Sequence, residues 1–349
     1  AISKVFSEMA VYESGLKYWV SIRQTGQHPS AEGAADEPII FHQPPNNVLE
    51  WSTSIESGIC MANLCEEWVP ESFWRRAYNL SSGKKWRTAT WEFSELHTKN
   101  LGTTYKDAND PREQALFNFH GQYYTDSDLL NDILHFRCID FDQYWEGVRA
   151  EIDAMMANPM IRAMMPTPEV QQQQKIAIGQ KPTGFHWMFE NDKEDWIRAF
   201  FGSREKQKAI KSFDEGYELY HPNEEPTLLD HGYDETKGLE NLTKANLDKA
   251  AVFRGGECLS DPDGDIHVPV KWKCACGHEF RLSLNAVLGG GHWCPECMRY
   301  EWAYGDMAKV NPFYAQVWNP QHDEDETYRI KMDYSAFDIF MELKDKLGV

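Results

Sequence analysis

Apolar residues recur at helical spacing from the first turn of the chain. Ile2, Val5, Phe6 and Met9 share one face, and Gly15 stands where a C-terminal cap belongs. Residues 16–23 carry aromatic and β-branched side chains and predict a buried strand. Gly, Pro, Asp and Gln then crowd residues 26–45, the composition of a loop. A helix is predicted over 55–68, with Ile59, Ala62 and Cys65 on one face. A short strand follows over 77–80, closed by Ser81, Ser82 and Gly83. Thr90 can cap a further helix that carries Phe93, Leu96 and Leu101 and ends at Gly102. Helices and strands in this alternation predict an α/β layer.

The pattern changes beyond residue 125. Asp140 can cap a helix in which Phe141, Tyr144, Trp145, Val148, Ile152 and Met155 repeat at i, i+3, i+4, i+7 intervals. That stripe predicts a core-facing helix, and Asn158-Pro159 ends it. Gln171 to Gln174 form a polar run that reads as a solvated face or linker. Residues 187–201 and 205–220 predict helices. Pro222, Pro226 and Gly232 punctuate 221–238, which predicts a loop. Farther on, Phe280, Leu282 and Leu284 alternate as a strand should. The aromatic residues after Tyr300 are expected to pack against that region.

Of the 349 residues, 42% are hydrophobic, with 13 Trp and 18 Phe among them, enough for folded cores rather than a disordered chain. The formal net charge of −20 repels phosphate backbones and anionic lipid, so nucleic acid and membranes are disfavoured as partners. No apolar run approaches the ~20 residues that a bilayer span requires. No secretory signal is visible, and a cytoplasmic location is expected. Cys60, Cys65, Cys138 and Cys258 are scattered, whereas Cys274, Cys276, Cys294 and Cys297 are bunched. Bunched pairs in such a chain read as metal ligands rather than as a disulfide framework.

Cys294 and Cys297 have C-x2-C spacing, which lets two thiolates from one tight turn reach one ion at about 2.3 Å each. A tetrahedral site needs two more ligands. Cys274 supplies one from a second turn, and either Cys276 or His278 supplies the other; His292 is a further candidate. The stretch between the two pairs has room for a short hairpin, and Gly277 with Gly289-Gly290-Gly291 permits positive φ beside the metal. Trp293-Cys294-Pro295-Glu296-Cys297 also has the outline of a W-C-x-x-C redox pair. That motif should follow a strand, and here a glycine run precedes it. The H-x-E and P-C-x-x-C order of a zinc deaminase fails, because His278 and Glu279 are adjacent and Pro295 follows Cys294. Four protein ligands close the site, so a structural Zn2+ ion is expected. The segment resembles a bacterial zinc-ribbon family with the pattern W-x-C-x2-G-H-x-F followed by G-x-W-C-P-x-C. Trp272, Cys274, Gly277, His278, Phe280, Trp293, Cys294, Pro295 and Cys297 stand at those places. The resemblance implies a ribbon fold and a metal, and no particular reaction.

The first hundred residues resemble a different family. The string from Ala1 to Gly26 looks like the region after the catalytic tyrosine in extended short-chain dehydrogenases, which include the NAD-dependent sugar epimerases and dehydratases. Ser21-Ile22-Arg23 and Tyr78-Asn79-Leu80-Ser81-Ser82-Gly83 are similar to later strand and turn segments of that family. The resemblance implies a partial Rossmann-type α/β fold with Lys4 as the lysine of a Y-x3-K helix. Residues four apart lie on one helical face, so this ammonium would lower the pKa of the phenol and meet the cofactor ribose. The tyrosine would fall just before Ala1, and the chain is therefore expected to be the C-terminal part of a longer one. Gln27-His28-Pro29 replaces the family's Tyr-Gly-Pro. No glycine-rich turn for a pyrophosphate follows a strand, so NAD(P) is expected only with an N-terminal half present. Lys4 also fits an ordinary exposed helical position.

These readings divide the chain into the C-terminal half of an epimerase/dehydratase-like domain (1–125), a helical connector (126–250), a zinc ribbon (251–300) and a C-terminal extension (301–349). Two functions follow. One is an NAD-dependent epimerase/dehydratase-like fragment, inactive without its cofactor half. The other is a non-catalytic zinc-ribbon protein that binds a protein partner through the ribbon or the helical connector.

Overall fold

The N-terminal amphipathic pattern folds as the helix Ile2–Tyr12, and its apolar face buries Phe6, Met9 and Tyr12. In the computed structural model, residues 2–28, 37–98, 103–118, 121–165, 167–298 and 301–331 are described. The described residues of Ala1–Ile22, Pro70–Tyr78 and Pro226–Val349 form one compact unit, and those of Arg23–Val69 and Asn79–Glu225 form another. The units are interleaved along the chain, where the sequence suggested the contiguous blocks 1–125, 126–250, 251–300 and 301–349.

The first unit is built on a three-stranded antiparallel sheet. Its strands are Glu257–Cys258, Pro269–Lys273 and Glu279–Ser283, in chain order. The hairpin register pairs Trp272 with Phe280 and Lys273 with Glu279. Alternation sends Val270, Trp272, Phe280 and Leu282 inward. Lys271 and Lys273 lie between them and pair with Glu279 and Glu257 at 2.5 and 3.7 Å. The buried Trp272 indole donates to the Leu282 carbonyl at 2.9 Å, so its polar edge is satisfied. The helix Lys244–Val252, opened by a Thr243/Asn246 capping box, adds Leu247, Ala250 and Ala251 to the same core. Phe6, Met9, Tyr12 and Trp19 complete it. Glu13 extends the join, its carboxylate accepting from the Ser283 backbone N–H at 2.9 Å. After Tyr300, Trp302 and Met307 pack against this core.

In the second unit, Val48–Glu50 pairs antiparallel with Arg87–Ala89, and Gln27–His28 pairs parallel with Ser52–Thr53. Glu50 is fully buried and its charge is met by Arg87 at 2.6 Å, with Ser127 Oγ donating at 2.8 Å and Ser81 Oγ also donating. The predicted helices at 55, 90 and 141 form over Ser54–Asn63, Thr90–Thr98 and Phe141–Met156, the first ending short of Cys65 and Trp68; Leu101 and Gly102 lie outside the described residues. Asp140 caps the last of these, accepting from the N–H groups of Asp142 and Gln143. Asn158-Pro159 ends it and also starts the next helix, Pro159–Met164, because Asn158 caps Met160 and proline is pre-set for a first helical position. The Gln171–Gln174 run sits inside the helix Pro168–Gly179, mostly solvent-facing.

Other expectations need correction. The predicted helix 187–201 is two helices, Phe185–Glu190 and Glu194–Phe201, separated where Asp192 takes a positive φ of 48°. The predicted helix 205–220 stops at Lys208, and a turn in which Tyr217 N–H donates to the Ser212 carbonyl replaces its remainder around Gly216. The fold is mixed α and β with two- and three-stranded sheets. No doubly wound parallel sheet of Rossmann type occurs among the described residues. No helix among them is long and apolar enough to cross a membrane.

Candidate metal centre

Two turns of the first unit converge. The first closes the hairpin between Lys273 and Glu279. Cys274 and His278 face each other at its base, the Cys274 N–H donating to the His278 carbonyl at 3.0 Å. Gly277 N–H returns to the Cys274 carbonyl at 2.9 Å, and Gly277 takes φ +84°, a conformation that L side chains rarely adopt. Cys274 continues the inward row of Val270 and Trp272, so strand alternation aims its sulfur at the core. The second turn is Cys294-Pro295-Glu296-Cys297, tightened into a single 3₁₀ turn over Glu296–Met298. It follows the Gly289–Gly291 run, in which Gly290 N–H and His292 N–H fold back onto the carbonyls of Asn285 and Ala286.

The ligand atoms of Cys274, His278, Cys294 and Cys297 lie within 4.8 Å of one another and can hold a metal ion. His278 Nδ1 is 3.5 Å from the sulfurs of Cys274 and Cys297 and 3.6 Å from that of Cys294; Cys274 and Cys297 sulfurs are 3.6 Å apart. An ion bonded tetrahedrally to sulfur at about 2.3 Å and to nitrogen at about 2.0–2.1 Å requires S···S edges of about 3.8 Å and S···N edges of about 3.6 Å. The side chains therefore already outline the polyhedron. All four sulfurs near the turns are free thiols, and sulfurs 3.6 Å apart are far from the roughly 2.05 Å of a disulfide.

The three sulfurs are electrostatically linked. The thiols of Cys294 and Cys297 donate toward Cys274 and hold its pKa far below the usual thiol range. The resulting thiolate pushes Cys294 up to about 12 and Cys297 strongly upward as well. Three thiolates cannot share so small a space without a positive ion to neutralise them.

The surroundings fix the turns. Trp293 packs edge-on against Phe280 at 5.1 Å and against Trp272 at 5.7 Å, which screens the cluster from the sheet side. Gly256 lies close against the first turn. A Cβ there would sit 2.1 Å from the Lys273 carbonyl oxygen, so only glycine fits.

Among the candidates, the hairpin decides between the two alternatives for the fourth ligand. Cys276 stands exposed at the loop apex and outside the group, and His278 takes its place. His292 is not a ligand either. It is buried, donates through Nε2 to the Glu8 carboxylate at 2.9 Å, and meets the Tyr12 ring edge-on at 5.5 Å. Glu8 in turn accepts from Ser21 Oγ at 2.6 Å. His292, Glu8 and Glu13 thus tie the second turn and the sheet to the N-terminal helix, a role no local spacing announces. Lys4 is exposed on that same helix and is not brought together with the other site candidates. The W-C-x-x-C segment follows an irregular glycine stretch rather than a strand, consistent with ligation rather than redox exchange. No family model, no curated protein and no solved structure matches this chain.

Proposed function

We propose that the chain is a non-catalytic interaction protein whose first unit is held together by a structural zinc ion on Cys274, His278, Cys294 and Cys297. The observation that carries this reading is the closed S3N donor set at tetrahedral spacing. A soft, four-coordinate set of thiolates and one imidazole suits Zn2+. With all four positions taken by protein, no open site remains for a substrate, so the ion serves the fold. Its job is specific here. The ribbon hairpin, the second turn and the N-terminal helix share one core, and the ion pins the two turns that Trp293 and His292 join to that core. On this reading Lys4 is a surface residue, and the similarity of the first residues to the epimerases carries no activity.

Two titrations test the reading together. Chelation should abolish the near-ultraviolet circular dichroism of Trp272 and Trp293, and zinc should restore it. Ligand-detected NMR with NAD(H) should show no saturable binding. Unaltered tryptophan signals after complete zinc removal would end the structural role, and saturable NAD(H) binding would return the epimerase-like reading.

A further inference from the structure

We propose that Cys276 is a redox trigger for the metal centre: peroxide joins it to Cys274 as a disulfide, which takes Cys274 out of the donor set. The inference rests on the metal reading above. Four cysteines lie in the two converging turns, and three of them belong to the donor set. Cys276 stands outside the set and is exposed, whereas Cys274 and Cys294 are buried and Cys297 is half-buried. Thiol oxidation follows exposure, so peroxide meets Cys276 before it meets the ligands. A groove of about 390 Å3, lined by Cys274, Cys276, Glu257 and Lys273 among others, opens onto both cysteines of the first turn.

The backbone brings the pair within reach. Gly277 N–H donates to the Cys274 carbonyl at 2.9 Å, which closes a β-turn with Ala275 and Cys276 at its centre. Folding two Cα steps of about 3.8 Å to roughly a right angle leaves the Cys274 and Cys276 Cα atoms about 5.4 Å apart. A disulfide requires about 4.4–6.8 Å. The Cys274 sulfur now faces His278 Nδ1 at 3.5 Å and the Cys297 sulfur at 3.6 Å, a group from which Cys276 is excluded. It cannot bond to Cys276 and keep that position, so the disulfide and the four-ligand set exclude each other. The chemistry needs hydrogen peroxide alone as oxidant. The Cys276 thiol breaks the O–O bond, becomes a sulfenic acid and releases water. The Cys274 thiolate then attacks that sulfur; an S–S bond forms, the S–O bond breaks, and the departing hydroxide takes up a proton as a second water. Two thiol electrons thus reduce one peroxide, and only His278, Cys294 and Cys297 remain as ligands.

The experiment treats the full-length, zinc-loaded protein with hydrogen peroxide. A chromophoric chelator follows zinc release against a peroxide-free baseline, and peptide mass spectrometry locates the disulfide. The parent should release its zinc as a Cys274–Cys276 disulfide forms, and dithiothreitol with added zinc should restore the starting state. Cys276→Ser should hold zinc as the parent does before treatment and release it at least about tenfold more slowly under peroxide, because the exposed target is gone. Cys65→Ser removes another exposed thiol and should release zinc at the parent's rate. The trigger is overturned if Cys276→Ser releases zinc as fast as the parent, if Cys65→Ser slows release equally, or if the disulfide maps to Cys294 and Cys297. Zinc content before treatment separates the two readings. Untreated protein without zinc sinks the metal centre and the trigger with it, whereas a zinc-replete parent that keeps its zinc under peroxide sinks only the trigger.

Discussion

Replacing His278 with alanine removes one of four donors and leaves both turns and the sheet beneath them intact. Structural zinc sites of this kind bind with roughly 10–16 kcal/mol at neutral pH. Shared among four ligands, that is about 2.5–4 kcal/mol each, or on the order of 10²- to 10³-fold in affinity. Cys276→Ser supplies the internal control, since Cys276 is exposed at the loop apex two residues from Cys274. Competition for zinc against a chromophoric chelator measures both variants under one condition. His278→Ala should lose zinc at chelator concentrations on the order of 10² to 10³ lower than the parent tolerates, and Cys276→Ser should titrate with the parent. If Cys276→Ser loses as much affinity as His278→Ala, the assignment of the fourth ligand from the hairpin geometry is refuted.

Three further outcomes are expected. Phe6→Ala removes a side chain that is 1% exposed in the core of the first unit, so unfolding of that core followed by tryptophan signals should lose about 3–5 kcal/mol; a loss under about 1 kcal/mol would mean the N-terminal helix does not belong to it. Arg87→Met leaves Glu50 buried with hydroxyl donors but no cation, and denaturant unfolding should show a loss of about 3–5 kcal/mol, unless Glu50 is not buried as described. His221 stands between Glu92 at 2.7 Å and Glu224 at 2.9 Å; burial lowers its pKa, but the two carboxylates outweigh that and raise it. A raised histidine stabilises fully below its ordinary value of about 6.5 and loses that contribution as pH climbs through the folded value. Parent stability should therefore fall over that window relative to His221→Gln, and identical pH profiles would remove the clamp.

The candidate metal site was legible because its information is local. Cysteine spacing, the Trp272 and Phe280 alternation and the glycines all act within a few residues. The fourth ligand was not legible, because the choice between Cys276 and His278 rests on the Lys273–Glu279 register and a positive φ at Gly277. The N-terminal helix shows the same division. Its apolar face was plain in Ile2, Val5, Phe6 and Met9, yet its partner was not, since Glu13 and Ser283 are 270 positions apart in sequence. Period alone cannot say what a face meets, and so Lys4 was read toward a cofactor. The Phe141–Met155 stripe was read as core throughout. Only Trp145 is fully buried, because burial depends on which neighbours arrive rather than on the stripe itself.

The central claim is one ion on three sulfurs and one imidazole nitrogen, and X-ray absorption at the zinc edge of the purified, full-length protein addresses it most directly. The account predicts one zinc per chain, with three sulfur scatterers at about 2.3 Å and one nitrogen at about 2.0–2.1 Å. A four-sulfur shell would put Cys276 in place of His278. A shell of oxygen and nitrogen alone would contradict the centre altogether.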